Sequence, residues 1–344
     1  MAMKNPSFED VKALGFVFPG ARSWIEPGNI RSLAQDAALV TTPNTAVLAE
    51  ILAYIDPIVI EIMTAPRRAR EVYTEEKKGT WTTPYAKWRR DEFVGGVQPY
   101  SDYANGVTSD TNSDWQQREQ FLYQTTIAYG DMELAVSSEA KINLASAKQK
   151  AAAQIMDIAA NRFYLLGVAG KDIYGILNDP NLPAAITATS VTVGGTTTTA
   201  WEDKSTTQIY NDILKLFAKL QSQSQGWIDQ STPMKLVLSP NMNHYLGVAT
   251  DYNISVQDML NKYFGNLTVV NLPEMDTATG EVVMLIAPEV NGQKTGVLAF
   301  GEKMMSGRIV PALSSFSQKF TAGTYGGVIH QPFAIASMTG VESA

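Results

Sequence analysis

Residues 139–166, EAKINLASAKQKAAAQIMDIAANRFYLL, contain neither proline nor glycine and are rich in alanine. Ser137 or Ser138 offers an N-cap, and Glu139 falls in the first turn, where the helix dipole favours an acid. Gly167 and Gly170 supply the stop. The run predicts one unbroken helix over 139–166, roughly 42 Å long at about 1.5 Å per residue, beyond the usual globular length. Ile142, Ala145, Ala152, Met156, Ala159, Phe163 and Leu166 share one face, and Leu144, Ala151, Ile155, Ile158 and Leu165 a second. Alanine and Gln149 occupy the seam where a coiled coil wants Leu or Ile, so the helix is expected to lie on its own sheet.

Upstream the character is different. Residues 1–40 have weak periodicity with scattered Pro19, Gly20, Pro27 and Gly28, which predicts an extended arm. Asn44 caps a short helix carrying Val47, Leu48, Ile51, Leu52 and Ile55, stopped by Pro57. Ile58, Ile60 and Ile62 then alternate as a half-buried strand. Residues 66–128 mix Pro, Gly, charge and aromatics, including Trp81, Trp88 and Trp115, without a continuous core pattern. Over 66–100 there are eight Lys/Arg and five Asp/Glu, a local +3 in an acidic chain. A long segment that cannot cover its own apolar area is a functional excursion, expected to pack on another chain.

Downstream, Tyr174 to Pro180 is turn-rich, and Thr187 to Thr199 reads as strand, turn, strand around Gly194-Gly195. An amphipathic helix covers 206–220 through Ile209, Ile213, Leu216, Phe217 and Leu220. A strand at Lys235–Leu238, a helix at 255–264 and strands at Leu267–Leu272, Val282–Ala287 and Gly296–Phe300 follow. Arg308 to Met338 is β-rich, bending at Gly323, Gly326 and Gly327. No internal repeat is visible.

The 344 residues are 45 % hydrophobic but only 18 % charged, with 27 Lys+Arg against 34 Asp+Glu, a net charge of −7. This excludes a disordered chain and a broad grip on DNA, which needs many neutralised phosphates. With no cysteine and two histidines, disulfides, thiolate metal sites and a cysteine nucleophile drop out, and no cofactor is expected. Nothing in 1–30 reads as a signal peptide and no apolar run reaches the roughly 18 residues of a membrane span. A soluble protein made in the cytoplasm is expected.

The order of arm, basic aromatic excursion, long alanine-rich helix, mixed region and β-rich return resembles the tailed-bacteriophage major capsid (coat) protein family, whose fold is shared with encapsulins and herpesvirus shell floors. The local matches are Asp56-Pro57-Ile58-Val59-Ile60-Glu61 leading into Ala65-Pro66-Arg67-Arg68-Ala69-Arg70, the Gly79-Thr80-Trp81 turn, Gly175-Ile176-Leu177-Asn178, and Ile329-His330-Gln331-Pro332-Phe333-Ala334-Ile335. The resemblance implies an α+β, two-domain subunit. Residues 1–65 would be the N-arm and first peripheral elements, 66–128 the E-loop, 129–200 the peripheral domain with spine helix 139–166, 201–310 the axial domain, and 311–344 the return strands of the peripheral domain. It further implies self-assembly into hexamers and pentamers of an icosahedral head around double-stranded DNA held non-specifically, with portal, scaffolding and decoration proteins as partners. No long acidic extension precedes the arm, which implies a separate scaffold or a different assembly route. A nanocompartment shell of the encapsulin type is the alternative.

No GxSxG elbow, phosphate loop or HExxH is present, so the chain reads as no enzyme. The remaining enzyme reading is a hydrolase with a site invisible in sequence. His244 reads as a hydrogen-bonded surface histidine and His330 as a structural one. Lys87, Trp88, Arg89 and Arg90 have the look of a nucleic-acid patch, but Asp91 and Glu92 follow at once, which suits protein–protein contacts better. The expected inter-subunit residues are Arg67, Arg68 and Arg70 at the base of the excursion, with Trp81, Trp88, Arg89 and Arg90 within it.

Overall fold

The computed structural model describes residues 66–342 apart from Ala104, 140–142, 251–252 and 278–279. The expected arm, the helix around Val47–Ile55 and the strand Ile58–Ile62 lie outside these residues, as does Ile142.

The described chain opens with one turn of helix, α1 (Ala69–Val72), and a short strand, β1 (Glu75–Lys77). A hairpin of β2 (Tyr85–Val94) and β3 (Asp110–Glu119) follows, then β4 (Phe121–Gly130). Next come α2 (Asp131–Glu139) and the long helix α3 (Leu144–Leu166). The expected single helix over 139–166 is therefore corrected: Glu139 ends α2, and the long helix starts five residues later. The reason is local. Asn143 leaves the helical region and its side-chain oxygen accepts from the Ser146 amide at 3.1 Å, taking the capping role assigned to serine.

After α3 lie β5 (Ile186–Thr187) and the small hairpin β6 (Val191–Val193) with β7 (Thr196–Thr198), which turns at Gly194 and Gly195, both at positive φ. Helix α4 (Thr206–Gln223), β8 (Met234–Leu238), α5 (Pro240–Leu246), α6 (Val256–Tyr263) and β9 (Leu267–Asn271) keep close to the sequence reading. Two minor hairpins, β10 (Asp276–Thr277) with β11 (Gly280–Glu281) and β13 (Glu289–Val290) with β14 (Gln293–Lys294), flank β12 (Val283–Ile286). The chain closes with β15 (Gly296–Pro311), β16 (Ser315–Ile329) and β17 (Ile335–Thr339).

Two sheets organise these elements: a four-stranded one, β1-β15-β16-β4, and a five-stranded one, β5-β17-β12-β8-β9. In the five-stranded sheet the period of two is legible residue by residue. Leu236, Leu238, Val283, Leu285, Ala336 and Met338 pack with α4, α5 and α6, while Val237, Met284, Ile286 and Ile335 pack on the other side with Tyr164, Leu165 and Leu298. Helix α3 lies across the four-stranded sheet, with Ala152 and Met156 against Ile127, Phe320 and Ala322. Of the two faces read from sequence, the first survives in Ala152 and Met156, joined by Ala160 and Tyr164. The second survives only at Leu165, because Ala151 and Ile155 are exposed.

The Gly175-Ile176-Leu177-Asn178 turn is wedged against the end of α3, with the Ile176 and Leu177 amides donating to the carbonyls of Tyr164 and Leu165, both at 3.0 Å. A Cβ on Gly175 would sit 2.2 Å from the Leu165 carbonyl carbon, so only glycine fits this approach.

The segment boundaries read from sequence also shift. Residues 69–77 and 121–128, placed in the excursion, are built into the body as α1, β1 and β4, because Ala69, Val72 and Tyr73 are core residues and β4 pairs with β16 over ten positions. The boundary at 310/311 falls inside β15, which the sequence ended at Phe300. Strands β15 and β16 both belong to the four-stranded sheet, whereas β17, read as a return strand beside them, joins the five-stranded one.

Candidate functional site

The excursion proper is the β2–β3 hairpin, paired in register from Tyr85 with Glu119 to Val94 with Asp110. Its two faces differ. On the inner face Ala86 and Trp88 pack against Val297, Ala299, Tyr325 and Val328 of the long strands. The Tyr325 hydroxyl donates to the Thr83 carbonyl at 3.0 Å. Arg118 anchors the base: it is buried, its guanidinium donates to Asp179 at 2.8 Å and to the Asp172 carbonyl at 3.3 Å, and it lies over the Tyr174 ring at 4.7 Å. A paired, hydrogen-bonded charge is tolerable in such a place, whereas Arg118 alone would not be.

The expected contact residues divide accordingly. Trp88 was expected to be buried by a neighbour, but half its surface problem is solved at home: it packs on the subunit's own core and its ring centroid lies 6.1 Å from that of His330. Burial and the nearby Arg90 charge lower the His330 pKa from the ordinary histidine value. Arg90 donates to Gln116 at 2.8 Å and to the Ile329 carbonyl at 3.4 Å, on the inner face. Arg89 is on the outer face, held by Asp91 at 2.6 Å and Ser113 at 3.1 Å. Trp81 stands exposed in the turn before β2.

The arginines at the base have partners within the chain. Arg67 and Arg70 both reach Asp157 of α3, at 2.8 and 2.5 Å, and Arg70 also holds Glu75 at 2.8 Å. Lys303 pairs with Glu75 as well, Lys77 with Glu302 at 2.6 Å, and Glu76 with Lys294 at 2.5 Å and Lys78 at 2.7 Å. The Lys303–Glu75 and Lys77–Glu302 pairs strap β1, an edge strand, to β15, to which it is joined in parallel at only three positions. Although burial works against it, hydrogen bonds from Lys303 and Arg70 hold the Glu75 carboxyl below its usual range, and those from Lys294 and Lys78 do the same for Glu76. Arg68, partly exposed and 3.7 Å from Glu71, makes a looser ion pair than the shorter ones of Arg67 and Arg70.

Sequence reasoning missed the strongest candidates. Beyond the anchored base, the hairpin carries Phe93, Val97, Tyr100 and Tyr103, all between 87 and 101 % exposed. The far end of β15–β16 carries Ile309, Val310, Leu313 and Phe316, with Leu313 fully exposed. The signal for the first was present, since 91–114 contains five acids and no Lys or Arg, but a charge count over 66–100 straddles the change of sign.

Asp276 and Glu281, paired across the β10–β11 hairpin, also gather with the distant Glu342 within 4.8 Å of one another. Glu281 is buried and already accepts from Ser239 and from Asn241, the latter at 3.0 Å, and burial raises its carboxyl above the usual range. Among the described residues no helix is long and apolar enough to cross a membrane.

A family model described as Pa193 gp26 major capsid protein matches residues 38–340. Among solved structures the chain is similar to the capsid of the Myoviridae phage XM1, at TM-score 0.69 and 12 % identity over 87 % of this chain and 100 % of that one. It is similar to the capsid of an empty GTA particle at TM-score 0.55 and 10 % identity, over 86 % and 99 % of the two chains. A chain of Mycobacterium phage Ogopogo aligns at TM-score 0.53 and 8 % identity, over 84 % and 96 %. At these identities the structures show the fold. No curated protein sequence matches the chain.

Proposed function

This chain belongs to the Pa193 gp26 major capsid protein family and is a structural subunit of a tailed-phage head shell, not an enzyme, and on that premise we propose that its copies close head-to-tail into hexamers and pentamers enclosing double-stranded DNA. The family match does not favour the nanocompartment alternative. The observation that carries the proposal is the pair of β-ribbons whose ends leave large apolar residues exposed among the described residues. Large apolar residues exposed together at the end of a ribbon suit an interaction surface. Head-to-tail contacts join two different surfaces and close into rings when the rotation allows.

In this reading the β2–β3 hairpin overlaps a neighbour and ties subunits together, with Trp81 and Arg89 in the contact and Arg68 at its base. Trp88, Arg90, Arg67 and Arg70 set the hairpin's position on its own subunit. A net charge of −7 suits a wall that contains DNA without gripping it. Portal, scaffolding and decoration proteins are the further partners of such a shell, and synthesis takes place in the host cytoplasm before assembly.

Negative-stain microscopy of the purified protein tests the reading. Shells, tubes or rings are expected from the native chain. Shortening the hairpin by replacing 96–107 with a tight turn is expected to leave a folded subunit, by circular dichroism, that forms none of them. Normal shells from that variant would refute the overlap.

A further inference from the structure

We propose that Glu274 is a proton-operated latch between α3 and the five-stranded sheet, and that its proton also steadies α1, which leads through β1 into the hairpin. Glu274 lies in the single 3-10 turn Pro273–Met275 that follows β9. Its neighbours Leu272 and Met275 are fully buried in the core they share with Tyr164 and Leu165 of α3. The buried Asn161 of α3 joins two elements at once. Its Nδ2 donates to Glu274 Oε1 at 2.6 Å, and its Oδ1 accepts from the Ala69 amide at 3.1 Å. Ala69 opens α1, where Arg68 offers no side-chain cap, so α3 supplies the acceptor that α1 lacks. A line of hydrogen bonds therefore runs from the turn after β9, through α3, to α1.

The other carboxyl oxygen decides the chemistry. Glu274 Oε2 is out of water and has no hydrogen-bond partner among the described residues. An ionised carboxylate carries charge on both oxygens, and burying one of them unpaired costs more than burying a neutral hydroxyl. With the proton on Oε2, Oε1 is a carbonyl that still accepts from Asn161, and the latch closes without a buried charge. Burial pushes the Glu274 carboxyl up, against the lowering effect of a backbone hydrogen bond and of Asn161. The charged groups on the elements around it are engaged elsewhere. Asp157, one turn back on α3, is held by Arg67 and Arg70, and Glu71 of α1 faces Arg68. Lys235 of β8 donates to the Glu71 and Val72 carbonyls at 2.6 and 3.0 Å, and Asp276 gathers with Glu281 and Glu342. The latch is therefore fully present below the ordinary value of 4.5 and lost as pH rises through the raised one. The proton then leaves to water, the carboxylate turns towards solvent, and Asn161 loses one of its two anchors.

Hydrogen exchange of the full chain over a pH series reads the latch. In the native protein, protection of the Ala69–Val72 amides, corrected for intrinsic base catalysis, is expected to fall about tenfold per pH unit above the raised value, the slope of one proton. Glu274→Gln keeps a carbonyl to accept from Asn161 and carries no charge, so its protection should stay flat. Asn161→Ala cuts the line, so the α1 amides should exchange quickly at every pH while those of β12 keep native protection. A flat native profile overturns the proposal, and so does the native slope in either variant. Infrared difference spectra, native minus Glu274→Gln, give a second reading that needs no movement of α1. A carboxylic acid carbonyl band is expected to persist above pH 4.5 before it gives way to carboxylate, and ionisation at or below 4.5 overturns the latch.

Discussion

The five-stranded sheet and the β2–β3 hairpin are both made of alternating strands, and they complete their burial in opposite ways. In the sheet, β12 is buried along its whole length, and both faces of β8 and β17 are covered by helices or by the second core. Even the charge there is closed off: Lys204 and Asp212 are fully buried together at 2.6 Å, and Asp212 also accepts from the Trp201 indole at 3.2 Å and the Thr189 amide at 3.0 Å. In the hairpin only the inner face near the base is covered, and exposure rises to complete at Tyr103. The sheet is finished by its own chain. The hairpin, among the described residues, is left open beyond its base, and the proposed overlap with a neighbour is what would close it.

The sharpest way to break this comparison is to open the closed side. Asp212→Ala strands the Lys204 ammonium in the core and should destabilise the subunit by about 3–5 kcal/mol in urea unfolding. Replacing both residues by Met and Leu should recover most of that loss, since a fitted apolar pair needs no desolvated charge. If the single variant unfolds at the native urea concentration, Lys204 has reached water and the core is not closed there.

The long helix is the next test. Ala152 is buried in the middle of α3 against the four-stranded sheet. Ala152→Pro removes a backbone hydrogen bond and clashes with the preceding turn, at a cost of about 3 kcal/mol or more, and should abolish soluble expression. Ala151→Pro makes the same backbone lesion at an exposed position, so recovery of soluble protein there would show that packing, and not helix integrity, dominates.

The two sheets should also answer acid in opposite directions. Burial raises the Glu281 carboxyl on the five-stranded side, so the folded state holds that proton more tightly than the unfolded chain. Its contribution is therefore fully present below the ordinary value of 4.5 and lost as pH rises through the raised one. Glu75 and Glu76 in the β1 strap are lowered, so their contribution is present above 4.5 and lost as pH falls through their lowered values. Glu281→Gln should raise the melting temperature at pH 7 and lose that gain below pH 4.5. Hydrogen exchange of the β1 amides should quicken in the same acid range; unchanged exchange would show that the ion pairs are not what holds β1.

What was legible follows the same division. The helix over Thr206–Gln223 and the strands of the five-stranded sheet were readable because their partners lie within the chain and impose strict periods of 3.6 and 2. The start of α3 was misread because serine and asparagine both make good caps, and the choice of Asn143 lies in backbone geometry. The ion pairs of Arg67 and Arg70 within the chain were not legible, because Asp157 is about ninety residues away in sequence. The length of β15 was hidden by Met304, Gly307 and Pro311, which weaken strand propensity but are accommodated by register shifts along the β15–β16 pair.

The smallest stability effect is expected where the assembly effect is largest. Phe93 and Tyr103 touch solvent on nearly all of their surface. Phe93→Ser and Tyr103→Ser remove apolar area that folding never buried, so each should stay within about 0.5 kcal/mol of the native stability. In the proposed overlap a neighbour would cover the same area, and a buried aromatic side chain of this size contributes roughly 1.5–3 kcal/mol. That contribution recurs at every copy of the contact, so small losses per subunit multiply around a closed ring. The expected result is a native melting temperature together with a shift of shell formation to higher protein concentration, read by light scattering against a concentration series. A drop in melting temperature without any shift in assembly would reverse the comparison, placing these aromatics in the subunit's own fold and removing the hairpin tip from the interface.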